Sequence, residues 1–245
     1  MTQANLEQIL RRSIAHTKTL LFGHNDPRPV PALEPVYQRL FERDLETLKI
    51  ENRYYAVGAA ANYGLLYVII RALKELRFNT IVELGAGQST LLFDALARAG
   101  QTNAGILTIE HDQDWARHIA SKVRHRVENV QLIEKRVGKH IVRGYDLTNA
   151  RDIETIDFLL IDGPPNYPPP NRNSRLGALE LIKRVNKQDF LIIVDDAERA
   201  GEALLSNAIS TELNRQEIAY RRGSVVSNKR QDVFAGGKYI SAAFY

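Results

Sequence analysis

The chain has 245 residues, 44% of them hydrophobic and 25% charged, an ordinary globular composition with room for one main domain and an appendage. It contains no cysteine, which excludes disulfides and thiolate zinc sites, and no apolar run approaches the roughly 20 residues of a membrane span. The net charge of +4 comes from acids and bases interspersed along the chain, the pattern of a mixed solvated surface rather than a nucleic-acid footprint.

Residues 1–5, Met-Thr-Gln-Ala-Asn, lack the charged start and apolar core of a signal peptide, so a cytoplasmic location is expected. From Asn5 to Phe22, apolar residues at Leu6, Ile9, Leu10, Ile14 and Leu21 predict an amphipathic helix, either packed on its own domain or available as a lid or a homodimer contact. A proline-rich connector, Gly23 to Pro31, follows. Two further helices are expected, from Glu34 to about Lys49 and through Leu65, Ile69, Leu73 and Leu76. Residues 1–78 thus read as an N-terminal helical extension in front of a second unit, 79–245. Tyr54, Tyr55 and Tyr63 are candidates to roof a ligand there, with core packing as the ordinary alternative.

Beyond Thr80 the pattern alternates. Strands are expected at 80–84, 105–110, 130–134, 156–161 and 189–194, and helices at 88–99, 112–124, 174–187 and 197–213. Val/Ile/Leu-rich strands alternating with helices predict an α/β fold, a Rossmann-like, doubly wound, mostly parallel sheet. The tail, 216–222 and 233–245, reads as two strands joined by a polar loop.

The most informative stretch is Thr80-Ile-Val-Glu-Leu-Gly-Ala-Gly-Gln-Ser-Thr90, a strand, a tight glycine turn and a helix start. A dinucleotide fold would carry a third glycine where Thr90 stands, and would not place Glu83 before the turn. A carboxylate there repels a pyrophosphate by roughly several kcal/mol and favours a positively charged ligand. The next strand also ends in an acid, Glu110, placed to accept hydrogen bonds from ribose hydroxyls. Alternatively, both acids simply end strands at the solvent edge. After the remaining strands come Glu134 to Gly138, Asp162-Gly163-Pro164-Pro165, and Asp195-Asp196. Three hard oxygen donors, Asp162, Asp195 and Asp196, suit Mg²⁺ or Mn²⁺. A second role for Asp195 or Asp196 is to cap a helix opening at Ala197, with Glu198 completing a capping box. Arg172 and Arg175 are read either as grips for an anionic substrate group or as solvated surface.

Taken in order, Val82 to Thr90, Thr108 to Asp112, Asp162 to Pro165 and Val194 to Ala197 resemble the class I S-adenosylmethionine-dependent methyltransferases. The set looks like a bacterial branch acting on sugars, polysaccharides and small natural products, and is more distantly similar to the metal-dependent catechol-type O-methyltransferases. The resemblance implies a seven-stranded sheet with a C-terminal antiparallel strand. It implies S-adenosylmethionine held by Glu83, Gly85, Ala86, Gly87, Ser89, Thr90, Glu110, His111, Arg136, Val137 and Asp162, with adenine near 134–138. It also implies acidic metal ligands at Asp162, Asp195 and Asp196, catalysis by Asp162 and Asp195, and a small-molecule or glycan acceptor. The lysine that catechol-type enzymes keep shortly after the first metal-binding acid is missing from Gly163-Pro164-Pro165. The rival classes are a nucleic-acid methyltransferase, a non-catalytic S-adenosylmethionine-binding protein and an NAD-dependent enzyme. The first is opposed by Gly163 and Asn166, which interrupt an Asp-Pro-Pro-Tyr pattern, and by the lack of an appended nucleic-acid-binding module.

Overall fold

The computed structural model describes residues 26–58, 60–149, 154–167 and 171–245. The helix expected at 5–22, with its lid or dimer role, lies outside them, as do Pro168 to Pro170. Among the described residues two α-helices precede the sheet, α1 (Glu34–Leu48) and α2 (Tyr63–Glu75). Then β1 (Thr80–Leu84), α3 (Gln88–Arg98), β2 (Gly105–Glu110), α4 (Gln113–Ala120) and β3 (Arg126–Asn129) follow in turn. A two-stranded hairpin, β4 (Leu132–Val137) and β5 (His140–Tyr145), stands apart from the main sheet. Next come β6 (Phe158–Ile161), a 3-10 segment Asn171–Ala178 running into the short α5 (Leu179–Ile182), β7 (Phe190–Val194) and α6 (Ala200–Arg215). The chain ends with β8 (Arg221–Val226), β9 (Arg230–Gly236) and a 3-10 helix, Gly237–Phe244.

The sheet has seven strands in the order β3-β2-β1-β6-β7-β9-β8. Pairing is parallel from β3 to β7, while β9 runs antiparallel to both β7 and β8. The antiparallel strand is therefore second from the edge and β8 closes it. This is the expected doubly wound sheet. Its central strands carry apolar residues on both faces because helices cover both sides. One core joins α1, α2 and α3 to the sheet through Phe41, Leu65, Ile69, Phe93 and Phe158; the other lies under β5, α5 and α6 through Val142, Leu181, Ile192 and Leu205.

Several expectations need correction. The third parallel strand is 126–129, and the predicted 130–134 falls across the start of the β4–β5 hairpin. The 174–187 helix shrinks to four α-helical residues after a 3-10 run, in which Gly177 packs so closely on the hairpin that a β-carbon there would lie 3.3 Å from Gly144 Cα. In the tail, the polar loop is itself mostly strand, the turn tightens to Ser227–Lys229, and the last residues coil into a 3-10 helix.

Strand order reverses between β1 and β6, so the loops after these two strands diverge and leave a crevice at their carboxyl ends. Two helix starts are capped by side chains. Asn62 accepts from Leu65 N at the head of α2, and Asp112 from Trp115 N at the head of α4.

The ring of Phe158 anchors one core, 5.1 Å from Phe78 and 5.6 Å from Phe93 by centroids, with no exposed surface. Phe158→Ala is expected to cost about 3–5 kcal/mol in denaturant unfolding.

Candidate active site

At the β1/β6 crevice Gly85 and Gly163 meet backbone to backbone. A β-carbon on Gly85 would lie 2.9 Å from the Asp162 carbonyl oxygen, and one on Gly163 would lie 2.8 Å from Gly85 Cα and 2.6 Å from the Tyr145 hydroxyl. Gly85 also has φ +93°, a region that side chains disfavour. The Gly163–Pro164 peptide is cis. Around this contact opens a cavity of about 760 Å³, within the usual range for a small-molecule site.

Most of the expected site residues line it: Gly85, Ala86, Gly87, Ser89, Glu110, His111, Asp162 and Asp196. Glu83, Thr90, Arg136, Val137 and Asp195 are not among its lining residues. Arg136 and Val137 belong to the β4–β5 hairpin.

Glu83 is fully buried beneath the turn. Its Oε2 accepts from Thr90 Oγ1 and Thr108 Oγ1, each at 2.7 Å, and Thr90 Oγ1 in turn accepts from Gly87 N at 2.9 Å. The acid thus ties the glycine turn to β2 from below. Burial pushes its carboxyl up to about 7, against the pull of the threonine hydroxyls.

Glu110 faces the cavity. Its Oε2 accepts from Ala86 N at 2.9 Å; its Oε1 accepts from His111 N at 2.7 Å and Asp112 N at 2.8 Å and lies 2.6 Å from His111 Nδ1. Burial works against its charge, but His111 and these backbone donors prevail and hold it below the ordinary glutamate range. The hydrogen bond to Glu110 raises His111 correspondingly. Trp115 closes the turn by donating its indole N–H to Ala86 O at 2.8 Å.

After β6 and β7, Asp162, Asp195 and Asp196 converge, with one carboxylate oxygen from each lying within 4.8 Å of the others. Side-chain cations already occupy this cluster. Arg175 reaches Asp162 Oδ1 at 3.2 Å and Asp196 Oδ2 at 3.3 Å, and donates to the carbonyls of Asp162 and Asp195 at 3.0 Å each. Arg199 is 2.7 Å from Asp196 Oδ2, and Lys229 is 3.1 Å from Asp196 Oδ1 and 3.5 Å from Asp195 Oδ2. Burial, then the neighbouring Asp195, pushes Asp162 well above the ordinary aspartate range. Asp195 pays the same burial penalty but is held low by Lys229 and Arg175.

The capping role expected of Asp195 or Asp196 does not appear. Helix α6 opens later, after Arg199; Asp196 has φ +56°, and Glu198 accepts from Arg230 N instead. Arg175 is buried inside the cluster, neither at the surface nor free for an anion.

Residues 82–197 match the family model described as a methyltransferase domain. The protein is an S-adenosylmethionine-dependent methyltransferase. Solved structures of similar trace include a methyltransferase from Pyrococcus furiosus, at 16% identity and TM-score 0.45 over 82% of this chain and 98% of that one. The N-terminal domain of human METTL16 in complex with SAH is 15% identical, with TM-score 0.45 over 85% of this chain and 82% of that one. SAH-bound Podospora anserina PaMTH1 is 12% identical, with TM-score 0.46 over 93% of this chain and 95% of that one. No curated protein sequence matches the chain.

The methyltransferase domain takes part of its cavity wall from outside the matched span. Tyr55, Val57, Ala60 and Ala61 precede it and Lys229 follows it. Tyr55, one of the candidate roof residues, donates its backbone N–H to Gln88 Oε1 at 3.0 Å. Lys229 and Tyr145 escaped sequence reading. One lies in what looked like a solvated polar loop and the other at the end of an unrecognised hairpin strand.

Two outcomes are expected. Gly85→Ala should lose about 1–3 kcal/mol in denaturant unfolding and weaken S-adenosylhomocysteine binding in calorimetry, because a methyl group meets backbone on one side and a disfavoured φ on the other. Glu83 keeps its proton to higher pH when folded, so its contribution to stability is complete below about 4.5 and is lost as pH rises through about 7. The loss is on the order of 3 kcal/mol, and the stability difference between wild type and Glu83→Gln, measured from pH 4 to pH 8, should follow that window.

Proposed function

We propose that this enzyme, with 79–245 as its catalytic unit and 1–78 as an extension, transfers a methyl group to a hydroxyl of a small polar acceptor. A sugar unit of a glycan or a small natural product fits that description. One observation carries the reading: the cavity sets an acid-lined nucleoside wall, Glu110 with the Gly85–Gly87 turn, opposite a charged wall built around Asp162. In this arrangement Glu110 accepts from ribose hydroxyls, His111 and Trp115 flank the nucleoside, and the turn gives the sulfonium end close backbone approach. Glu83 acts from beneath by holding the turn.

The methyl carbon leaves sulfur, whose bonding pair stays behind to give a neutral thioether, and bonds to the acceptor oxygen. The oxygen's proton must go elsewhere. Asp162 is the member of the acid cluster that both lines the cavity and has a raised proton affinity, which suits it to accept that proton. Asp195 is sealed behind it and acts through Lys229 and Gln231 rather than on the acceptor. Holding methyl and oxygen in line supplies about 7–11 kcal/mol of the barrier reduction. A divalent ion on Asp162, Asp195 and Asp196 would acidify the hydroxyl further. Those carboxylates are engaged by Arg175, Arg199 and Lys229.

A second reading rests on Tyr167, exposed by 77% at the cavity mouth two residues after Pro165, where an aromatic ring suits a planar acceptor such as a nucleobase. A salt-sensitive mobility shift with RNA or DNA would favour it over a saccharide acceptor.

Calorimetry should show S-adenosylhomocysteine binding to the wild-type protein. Glu110→Ala should weaken it about ten- to a hundredfold, as expected for charge-assisted hydrogen bonds worth roughly 1.5–3 kcal/mol. Unchanged affinity in that variant would remove the cofactor placement.

A further inference from the structure

We infer that the Asp162–Asp195–Asp196 cluster operates without a divalent ion, because Lys229 and Arg175 are its permanent counter-charge. That the cluster takes part in a reaction rests on the methyltransferase reading; the charge arrangement itself does not. The Lys229 ammonium bridges Asp195 and Asp196, at 3.5 Å and 3.1 Å, where an ion shared by the two would have to sit. Three of the remaining four oxygens are also taken. Asp195 Oδ1 accepts from Gln231 Nε2 at 2.6 Å, Asp196 Oδ2 faces Arg199 and Arg175, and Asp162 Oδ1 faces Arg175. Mg²⁺ and Mn²⁺ favour an octahedron of oxygens, and here each carboxylate oxygen named above already faces a protein cation or an amide N–H.

The lysine is held in place by design of the fold rather than by chance of a flexible side chain. It sits at the tight turn between β8 and β9, where Ser227 N donates to Lys229 O at 2.8 Å. Asn62 Nδ2 donates to Ser227 Oγ at 2.7 Å and to Asn228 Oδ1 at 2.8 Å, and Gln231 Nε2 donates to Asn62 Oδ1 at 2.9 Å. The ammonium also donates to Ala60 O at 3.4 Å. Its side chain is 15% exposed, and it lines the cavity. A fixed cation there stabilises the negative charge that develops on an acceptor oxygen as it loses its proton, which is the service an ion would otherwise give.

The test is a Mn²⁺ titration of the full-length protein by calorimetry, with no acceptor required. Wild type is expected to show no binding up to millimolar ion, and Lys229→Arg to behave the same. Lys229→Met should gain Mn²⁺ affinity by about thirtyfold or more, since even at the dielectric constant of water a unit charge about 4 Å from a divalent ion changes its binding by that factor. Lys229→Gln serves as a second variant if the methionine protein does not fold. S-adenosylhomocysteine binding is measured on each protein in parallel: its loss in wild type would defeat the methyltransferase reading while leaving the ion result readable. Mn²⁺ binding by wild type that disappears in Asp196→Asn overturns the inference. So does a folded Lys229→Met or Lys229→Gln protein as indifferent to Mn²⁺ as wild type, because the ammonium would then not be what keeps the ion out.

Discussion

Three carboxylates at the ends of two adjacent strands, shielded from water, would each cost several kcal/mol in lost hydration if left alone. The fold meets that cost with charges brought from three separate places. Arg175 comes from the 3-10 run after β6, Arg199 from the approach to α6, and Lys229 from the last hairpin. The acids therefore dictate how the second half of the chain must close. The irregular backbone of 171–178, the left-handed Asp196 and the tight β8–β9 turn all serve to deliver a cation to one corner of the cavity. Removing a single member leaves a buried charge without its partner, which is why such clusters are held together more strongly than any one pair is worth.

Opposite this corner the two glutamates divide their labour according to depth. Both stand at or near strand ends, yet the pleat turns Glu83 into the protein and leaves Glu110 at the cavity. Glu83 braces the turn through Thr90 and Thr108, and Glu110 gathers three backbone N–H groups into a carboxylate that stays ionised. At the switch point one acid thus serves as scaffold while the other faces the cavity.

The parallel strands and the glycine turn were readable because each leaves a local mark. A buried strand is a run of Val, Ile and Leu, and a turn that must approach another backbone needs glycine. β1 and β2 fall where the pattern puts them, and α3 starts at Gln88 as expected. The reading failed where tertiary packing overrides local pattern. β3 carries Arg126, Glu128 and Asn129 and has no apolar run to announce it, because it is an edge strand. Residues 223–232 are rich in Gly, Ser, Asn, Lys, Arg and Asp and look solvated, yet Arg230 and Asp232 are buried there, and Arg230 and the neighbouring Arg222 both pair with Asp232 and Asp26. For the site, the three aspartates were legible from their places after the strands. Their partners were not, since nothing local distinguishes a lysine that bridges two buried acids from one that waves in solvent.

Asn62 stands with its side chain almost wholly enclosed, capping α2 while bonding to both the Ser227–Asn228 turn and Gln231. The front and back of the polypeptide are consequently latched to each other across the mouth of the crevice. An excised fragment trimmed to 82–197 would hold the glycine bend and the aspartates but forfeit the latch, the Tyr55 wall and the Lys229 ammonium together. The smallest piece of this molecule with an intact reaction chamber is much longer than its recognisable motif.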